Sequence, residues 1–394
     1  MKTRLAIVVT HPIQHFVPFY RAIAADPDIE LRVLFGAPIG VESYYDEEMQ
    51  TQISWNMDML GGYSHEFLGE VPEGGQPSVR KPSAPVIADR LAAFAPDVVL
   101  VYGHMQANVF RAIWWCRRHK VPLMTIGDSE LLRDRTTVTK ALKEVVVRAI
   151  FRRYSALLSV GDRNAEFYIH YGAPADRIFR SPFTIDEATY RAASANRASL
   201  RAETRALYNI PEDAIVALFV GKLSPRKRPG DLIDALAQSK GRKVIALFAG
   251  NGELIDELRA KADAQGVAAR FAGFVNVDKL PGLYAAADML VHPSQHDPHP
   301  LICSEGACIG LPQVLSDRIG AVGPTDIARE GENTIVFPCT DIAALAAAID
   351  ALAGDDARRT AMSARSLAIF DECDIAASVA GLKQGIATAR ARPR

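Results

Sequence analysis

His292-Pro293-Ser294-Gln295-His296-Asp297-Pro298-His299-Pro300-Leu301-Ile302-Cys303-Ser304-Glu305-Gly306-Ala307 changes character part-way along. Met289–His292 reads as the end of a buried strand, and 293–299 as a Pro/His-rich loop. From Pro300 the residues turn apolar. Proline suits a helix's first turn, where its missing N–H costs nothing, and Gly310 suits the helix end. The stretch is therefore strand, loop, helix. It carries two carboxylates eight positions apart, Asp297 at the helix mouth and Glu305 about one and a half turns inside. Glu305 lies among Leu301, Ile302, Ala307 and Ile309, so it either points to water or needs polar partners. One such partner is a pair of vicinal hydroxyls. His292, His296, Asp297 and His299 could in principle ligate zinc or iron. Their spacing fits no standard site and two prolines interrupt it, so no metal is expected.

The same alternation runs outward in both directions. Apolar, β-branched runs occur at Leu5–Val9, Leu31–Phe35, Val98–Tyr102, Leu123–Ile126 and Ala156–Val160. They recur at Ile215–Val220, Val244–Ala249, Met289–His292 and Gln313–Leu315. Continuous apolar strands between amphipathic helices indicate parallel sheets covered on both faces. The expectation is an α/β protein of two Rossmann-like, doubly wound domains with ligands at the strand ends facing a central cleft. We place a first domain at 1–195, a second at 196–370, and a terminal helix at 371–394 that crosses back to the first domain. The break falls near 185–210, where Arg191–Ala206 is polar, Ala-rich and highly charged.

With 394 residues, 49% of them apolar, each half can bury a core. A net charge of −1 argues against nucleic acid as a partner. Five cysteines without a CxxC pair favour a reducing, cytoplasmic setting. The apolar run after Met1-Lys-Thr-Arg is too short for a signal peptide, and none reaches the ~18 residues of a membrane span. Between Arg133 and Arg153 lie seven basic residues (133, 135, 140, 143, 148, 152, 153) and an apolar helical face. That pattern can dock on anionic lipid at the cytoplasmic face of an inner membrane. A helix packed on its own sheet with a solvated basic side gives the same pattern.

About seventy residues before Asp297 lies Gly221-Lys222-Leu223-Ser224-Pro225-Arg226-Lys227-Arg228, between a strand and the helix Asp231–Gln238. Cations at that junction suit a diphosphate, although a solvated basic turn has the same composition. Gly250-Asn251-Gly252 makes a tight turn from strand to helix Leu254–Ala264. It lacks the third glycine of a dinucleotide fingerprint, which argues against a nicotinamide dehydrogenase. In the first half, three loops leave strands on one sheet edge. They offer His11 and His15, His104, and Asp128 and Glu130 as acceptor-side groups.

These residues resemble a known family. Phe219-Val220-Gly221-Lys222-Leu223-Ser224-Pro225-Arg226-Lys227 is similar to the strand-G-R-L-x-x-x-K-G pattern of GT-B glycosyltransferases of family 4 (group 1). Gly250-Asn251-Gly252 resembles the family's G-x-G turn. Gly273-Phe274-Val275, Tyr284-Ala285-Ala286-Ala287-Asp288 and Val291-His292-Pro293-Ser294 resemble its G-x-V…Y-x-x-A-D-x-x-V-x-P-S series. Asp297-x7-Glu305 resembles its E-x7-E, and Gly310-Leu311-Pro312-Gln313 its G-x-P-V. In the first half, Thr10–Phe16, and Val160–Asn164 with Tyr171–Pro174, look like bacterial members acting on surface polysaccharides or lipid-linked glycans.

The resemblance implies a retaining transferase moving a sugar from a nucleoside-diphosphate donor to a glycan or lipid-linked hydroxyl, with no cofactor and no metal ion. It implies Lys222 and Lys227 on the diphosphate, as catalytic groups with Asp297, and Glu305 on the ribose. Gly221, Gly250, Phe274, His299, Pro300 and Leu301 would complete the donor site. Four residues depart from the pattern: Lys222 stands for Arg, Asp297 for Glu, and His299-Pro300 for Phe-Gly. A sugar-nucleotide epimerase or a non-catalytic sugar-nucleotide-binding protein on the same fold would keep most of these features.

Overall fold

A computed structural model describes residues 1–53, 55–71, 82–132 and 137–391, without the side chains of 137–143. Arg133, Arg135, Lys140 and Lys143 of the basic segment therefore lie outside the described side chains. The chain divides into two compact units. The first comprises Met1–Tyr44, Asp58–Thr184 and Asp374–Arg394; the second comprises Tyr45–Met57 and Ile185–Cys373.

Strands are numbered in chain order. The first nine are β1 (Thr3–Val9), β2 (Ile29–Phe35), β3 (Tyr44–Asp46), β4 (Thr51–Ile53), β5 (His65–Phe67), β6 (Val98–Tyr102), β7 (Leu123–Gly127), β8 (Ala156–Ser159) and β9 (Ile178–Arg180). Seven of them form the first unit's sheet in the order β5-β2-β1-β6-β7-β8-β9, with every pair parallel. Leu5–Val9 and Val98–Val101 are almost fully buried, as expected of strands covered on both faces. The strands β5 and β9 have only three half-buried residues each, too few to show a period in sequence. The last helix, Ile375–Ala391, belongs to this unit and lies across β6 to β9 and against helix Val17–Ala25.

The second unit contains β10 (Ile215–Val220), β11 (Val244–Ala249), β12 (Ala269–Gly273), β13 (Met289–His292), β14 (Gln313–Ser316) and β15 (Thr334–Phe337). Their order is β12-β11-β10-β13-β14-β15, again all parallel. The edge strands β12 and β15, both partly exposed, escape the sequence reading. A two-stranded ribbon of β3 and β4 supplies this unit's early segment.

The chain passes between units at Thr184/Ile185, ahead of residue 195. The polar stretch Arg191–Ala206 runs through two helices, Glu187–Ala195 and Arg197–Leu207. Its arginines at 197, 201 and 205 turn inward onto the segment leading into β13.

Candidate functional site

The loop after β10 is shaped by its glycines. Gly221 has φ +141°, Gly250 +144° and Gly252 +155°, a backbone region that side chains disfavour. A Cβ on Gly250 would stand 1.9 Å from the Gly221 carbonyl oxygen, and one on Gly252 2.5 Å from that of Leu223. The two loops can therefore lie backbone to backbone, with Leu223 N donating to Asn251 O at 2.9 Å. The G-x-G turn thus acts through close packing of the loops after β10 and β11. Within the first loop, Pro225–Lys227 forms a 3-10 turn, and Arg228 (φ +53°) clasps Asp231 at 2.7 and 2.9 Å. Arg228 is thereby engaged by its own helix, Gly230–Gln238.

The loop after β13 is tied to the same place. Arg226 donates to His296 O at 3.1 Å, while its own carbonyl accepts from Gln295 N at 3.0 Å and Ser294 Oγ at 3.1 Å. This sets Lys227 Nζ on Asp297 Oδ2, which also contacts His292 Nε2 at 3.1 Å. Asp297 is buried. Burial would raise its pKa, but the His292 hydrogen bond and the Lys227 charge hold it well below the usual carboxylate range. His292 is fully buried, and burial pushes its imidazole down despite the carboxylate. A neutral His292 facing an ionised Asp297 carries its proton on Nε2. Asp297 O accepts from Gly320 N at 2.8 Å. A Cβ at Gly320 would meet Pro298 O at 1.9 Å, so a glycine there lets the next loop close over 297–298.

Helix Leu301–Cys308 follows, with Pro300 as its N-cap residue. His299 is buried and its Nε2 lies 3.2 Å from Asp326. Glu305 is half-buried and accepts from Tyr284 Oη at 2.5 Å, with Tyr190 as a second donor. Burial raises its pKa, and the two hydroxyls offset part of that rise. Phe274 sits edge-on to Trp55, 6.2 Å between centroids.

Lys222 is half-buried and already paired. Its Nζ lies 3.0 Å from both Asp46 and Glu48, on and just beyond β3. Burial would lower the ammonium's pKa; the two carboxylates outweigh it and raise it. Arg226 reaches Glu48 at 3.2 Å. The sequence reading missed Asp46, Glu48, Tyr190 and Tyr284, and took His292 only as a metal candidate. The run Asp46-Glu47-Glu48, complementary in charge to 222–228, was a usable signal. The structure splits the His/Asp set: His292 is on Asp297 and His299 is on Asp326. Among the described residues no group of three or more His, Cys, Asp or Glu is placed to hold a metal ion.

In the first unit the candidate loops follow β1, β6 and β7, three neighbouring strands. His11 is half-buried, with Nδ1 2.8 Å from Thr10 Oγ1, and burial lowers its pKa to about 4. His15 is packed against Phe16 and Phe183 at 4.5 and 4.7 Å between centroids. His104 meets Phe151 and Phe167 at 5.5 and 5.9 Å. Asp128 is half-buried, and Glu130 is buried and accepts from Leu132 N. These residues share a sheet edge, but His15 and His104 are embedded in aromatic clusters.

In the second unit, ammonium groups held by carboxylates at strand ends, beside a helix N-terminus, form a rim suited to anions. Residues 201–367, which contain this rim, match the family described as Glycosyl transferases group 1, and the two parallel-sheet units are those of the GT-B fold.

The lipopolysaccharide core biosynthesis glycosyltransferase LpsE of Rhizobium meliloti is 35% identical over 163 residues, 41% of this chain and 46% of that protein. The D-inositol 3-phosphate glycosyltransferase of Kineococcus radiotolerans is 31% identical over 216 residues, 50% of this chain and 48% of its own. The chain thus spans about half the length of the curated relatives it matches. Among solved structures, Anabaena HepE in complex with UDP has a TM-score of 0.70 at 17% identity, covering 97% of this chain and 99% of that one. WaaG, a glycosyltransferase involved in lipopolysaccharide biosynthesis, has a TM-score of 0.60 at 18% identity, covering 95% and 99%.

Proposed function

We propose that the protein is a retaining glycosyltransferase that moves a hexose-type sugar from a nucleoside-diphosphate donor to a hydroxyl of a glycan or lipid-linked acceptor in cell-surface polysaccharide synthesis. The observation that carries this is the junction of the loops after β10 and β13, where Lys227 sits on the ionised Asp297, Arg226 holds the carbonyl of His296, and Lys222 stands on the same loop as a further cation. Cations placed where a diphosphate departs stabilise the charge it develops, and preorganised charge of this kind is a large term in catalysis. Asp297, held ionised by His292 and Lys227, faces the donor sugar as a fixed negative charge and takes no proton from the acceptor. Glu305 anchors the ribose hydroxyls in exchange for part of its tyrosine contacts. The reaction as proposed uses no metal ion.

The test is a thermal-shift and calorimetric screen of UDP, GDP and dTDP and their sugars, since a ligand of the native state alone raises its stability. At least one should bind, and Lys227→Ala should lose most of that affinity. No binding across the panel, or unchanged affinity in Lys227→Ala, would overturn the reading. Turnover of the donor without an acceptor, with the sugar epimerised, would make the protein an epimerase instead. The anomeric configuration of the product, read by NMR, tests retention.

An inner-membrane acceptor would need a docking face, for which we propose helix Ala107–His119. It exposes Phe110 (42%) and Trp114 (62%) among Arg111, Arg117, Arg118 and Lys120, and there is no Asp or Glu from 98 to 127. Arg117 shares a surface pocket with Arg152 and Arg153. Exposed aromatics interleaved with cations fit an anionic lipid surface. Co-sedimentation with phosphatidylglycerol vesicles, weak on phosphatidylcholine and lost in Trp114→Ser/Arg117→Glu, is the expected result. Equal binding to both lipids would exclude this face.

A further inference from the structure

The β3–β4 ribbon and the residues just after β3 place two carboxylates on the cations of the loop after β10. Asp46 is buried at the end of β3, and Glu48 is two residues on. Together they occupy Lys222, while Glu48 also takes Arg226 and comes within 3.4 Å of Ser224 Oγ. The ribbon's far end is anchored separately, by Asn56 N on Asn276 Oδ1 at 3.0 Å and by Trp55 against Phe274. Two carboxylates therefore sit where the proposed function requires the donor's diphosphate. The bulk of Lys222 is shielded (side chain 31% exposed), so an incoming anion and the ribbon's carboxylates compete for the same ammonium. The carboxylates and a phosphate cannot both lie on it without like-charge repulsion at close range.

We propose that Asp46 and Glu48 form a carboxylate gate on the phosphate-binding cations, which a nucleoside diphosphate must displace and which excludes lone anions such as orthophosphate. This rests on the donor reading above. A nucleoside diphosphate brings two linked phosphates plus base and ribose contacts, and so can replace both carboxylates. Orthophosphate brings only its charge and no second anchor. The gate leaves Lys222 neutralised when the site is empty and makes entry conditional on the whole donor head.

The test uses the full chain and measures Kd for UDP, GDP and dTDP, with orthophosphate as competitor, in the wild type, Asp46→Asn/Glu48→Gln, Glu48→Gln and Asp46→Glu. Freeing Lys222 of two partly exposed ion pairs should tighten the best nucleoside diphosphate by about tenfold. Orthophosphate should compete in the double variant and fail to compete in the wild type. Asp46→Glu, which keeps the charge, should retain the wild-type exclusion. Asp46 also accepts from Met49 N at 2.8 Å, so its loss can disturb the ribbon. Glu48→Gln alone should then tighten binding by a few-fold and admit orthophosphate in part. Unchanged or weaker nucleotide affinity in Glu48→Gln, or orthophosphate competing equally in the wild type, overturns the gate. Lys222→Ala separates the two ideas. If it leaves nucleotide affinity unchanged, the donor reading at Lys222 fails; if it weakens affinity while the gate variants do nothing, only the gate fails.

Discussion

His11 follows β1 with its ring half-buried on Thr10, and burial lowers its pKa from 6.5 to about 4. Its imidazole is neutral in the fold at neutral pH. The depressed pKa also couples to stability. Between about pH 4 and 6.5 the unfolded chain binds more protons at this position than the folded one. The contribution of His11 is therefore present above pH 6.5 and lost as pH falls through that window. In His11→Gln the midpoint of thermal unfolding should fall less between pH 6.5 and 4 than in the wild type. Parallel pH profiles for the two proteins would show that His11 has no such depressed pKa. At this scale the sequence located loops better than partners. Lys222 and Lys227 stood out as cations at a strand end. Yet Asp46 lies 176 positions from Lys222, and the charge match of Asp46-Glu47-Glu48 with 222–228 does not by itself fix the ribbon's placement. Asp297 was legible as a carboxylate, but its ionisation depends on His292, five positions earlier at the end of β13.

At the scale of elements, the polar, highly charged stretch near the break between the units forms a helix, Arg197–Leu207, that packs into the second unit. Arg197, Arg201 and Arg205 recur every fourth residue and so share one face. That face meets the end of helix Leu280–Ala286 and the entry to β13. Arg205 is completely buried; its guanidinium donates to the carbonyls of Ala286, Pro211, Glu212 and Ala214 and pairs with Asp288 at 2.9 Å. Arg201 takes the other oxygen of Asp288 at 2.8 Å, and Arg197 caps Ala287 O at 3.0 Å. Asp288 in turn accepts from Val216 N at 2.8 Å, so the cluster joins this helix to β10 and β13. Charge in sequence suggests solvent. Here the guanidinium finds enough carbonyls and a carboxylate to replace its water, which a composition reading does not reveal. Arg205→Ala should destabilise the protein by about 3–5 kcal/mol, because it removes one of the two guanidinium partners of Asp288 and leaves several carbonyls without their donor. Arg201→Ala, partly exposed, should cost clearly less. Denaturant unfolding measures both, and a loss below about 1 kcal/mol for Arg205→Ala would show that the cluster is not holding the element in place.

At the scale of the molecule, both sheets were readable because their central strands are buried on both faces and hence continuously apolar. The edge strands β5, β9, β12 and β15 were not, since a short half-buried edge carries no such run. The chain's return to its first unit is written in small residues. Along helix Ile375–Ala391, Ser378, Gly381, Gly385 and Ala389 are buried at spacings of three and four, which makes one flat stripe. The stripe lets the helix backbone meet the sheet. A Cβ at Gly381 would stand 1.7 Å from Arg180 O, and one at Gly385 2.6 Å from Met124 Cε. Ser378 Oγ donates to Pro182 O at 2.7 Å, and Ser181 Oγ donates to Ser378 O at 3.0 Å. At Gly381 the obstacle is backbone, which cannot swing aside as a side chain does. Gly381→Val should therefore lift the helix from β9 and cost about 3 kcal/mol, the upper part of the overpacking range. Because helix and strand belong to one unit, the effect should be regional. Hydrogen exchange should speed up in β8, β9 and the helix itself, while β10, β11 and β13 keep their protection. Equal loss across both sheets, or no loss at all, would show that the terminal helix does not stabilise the first unit in this way.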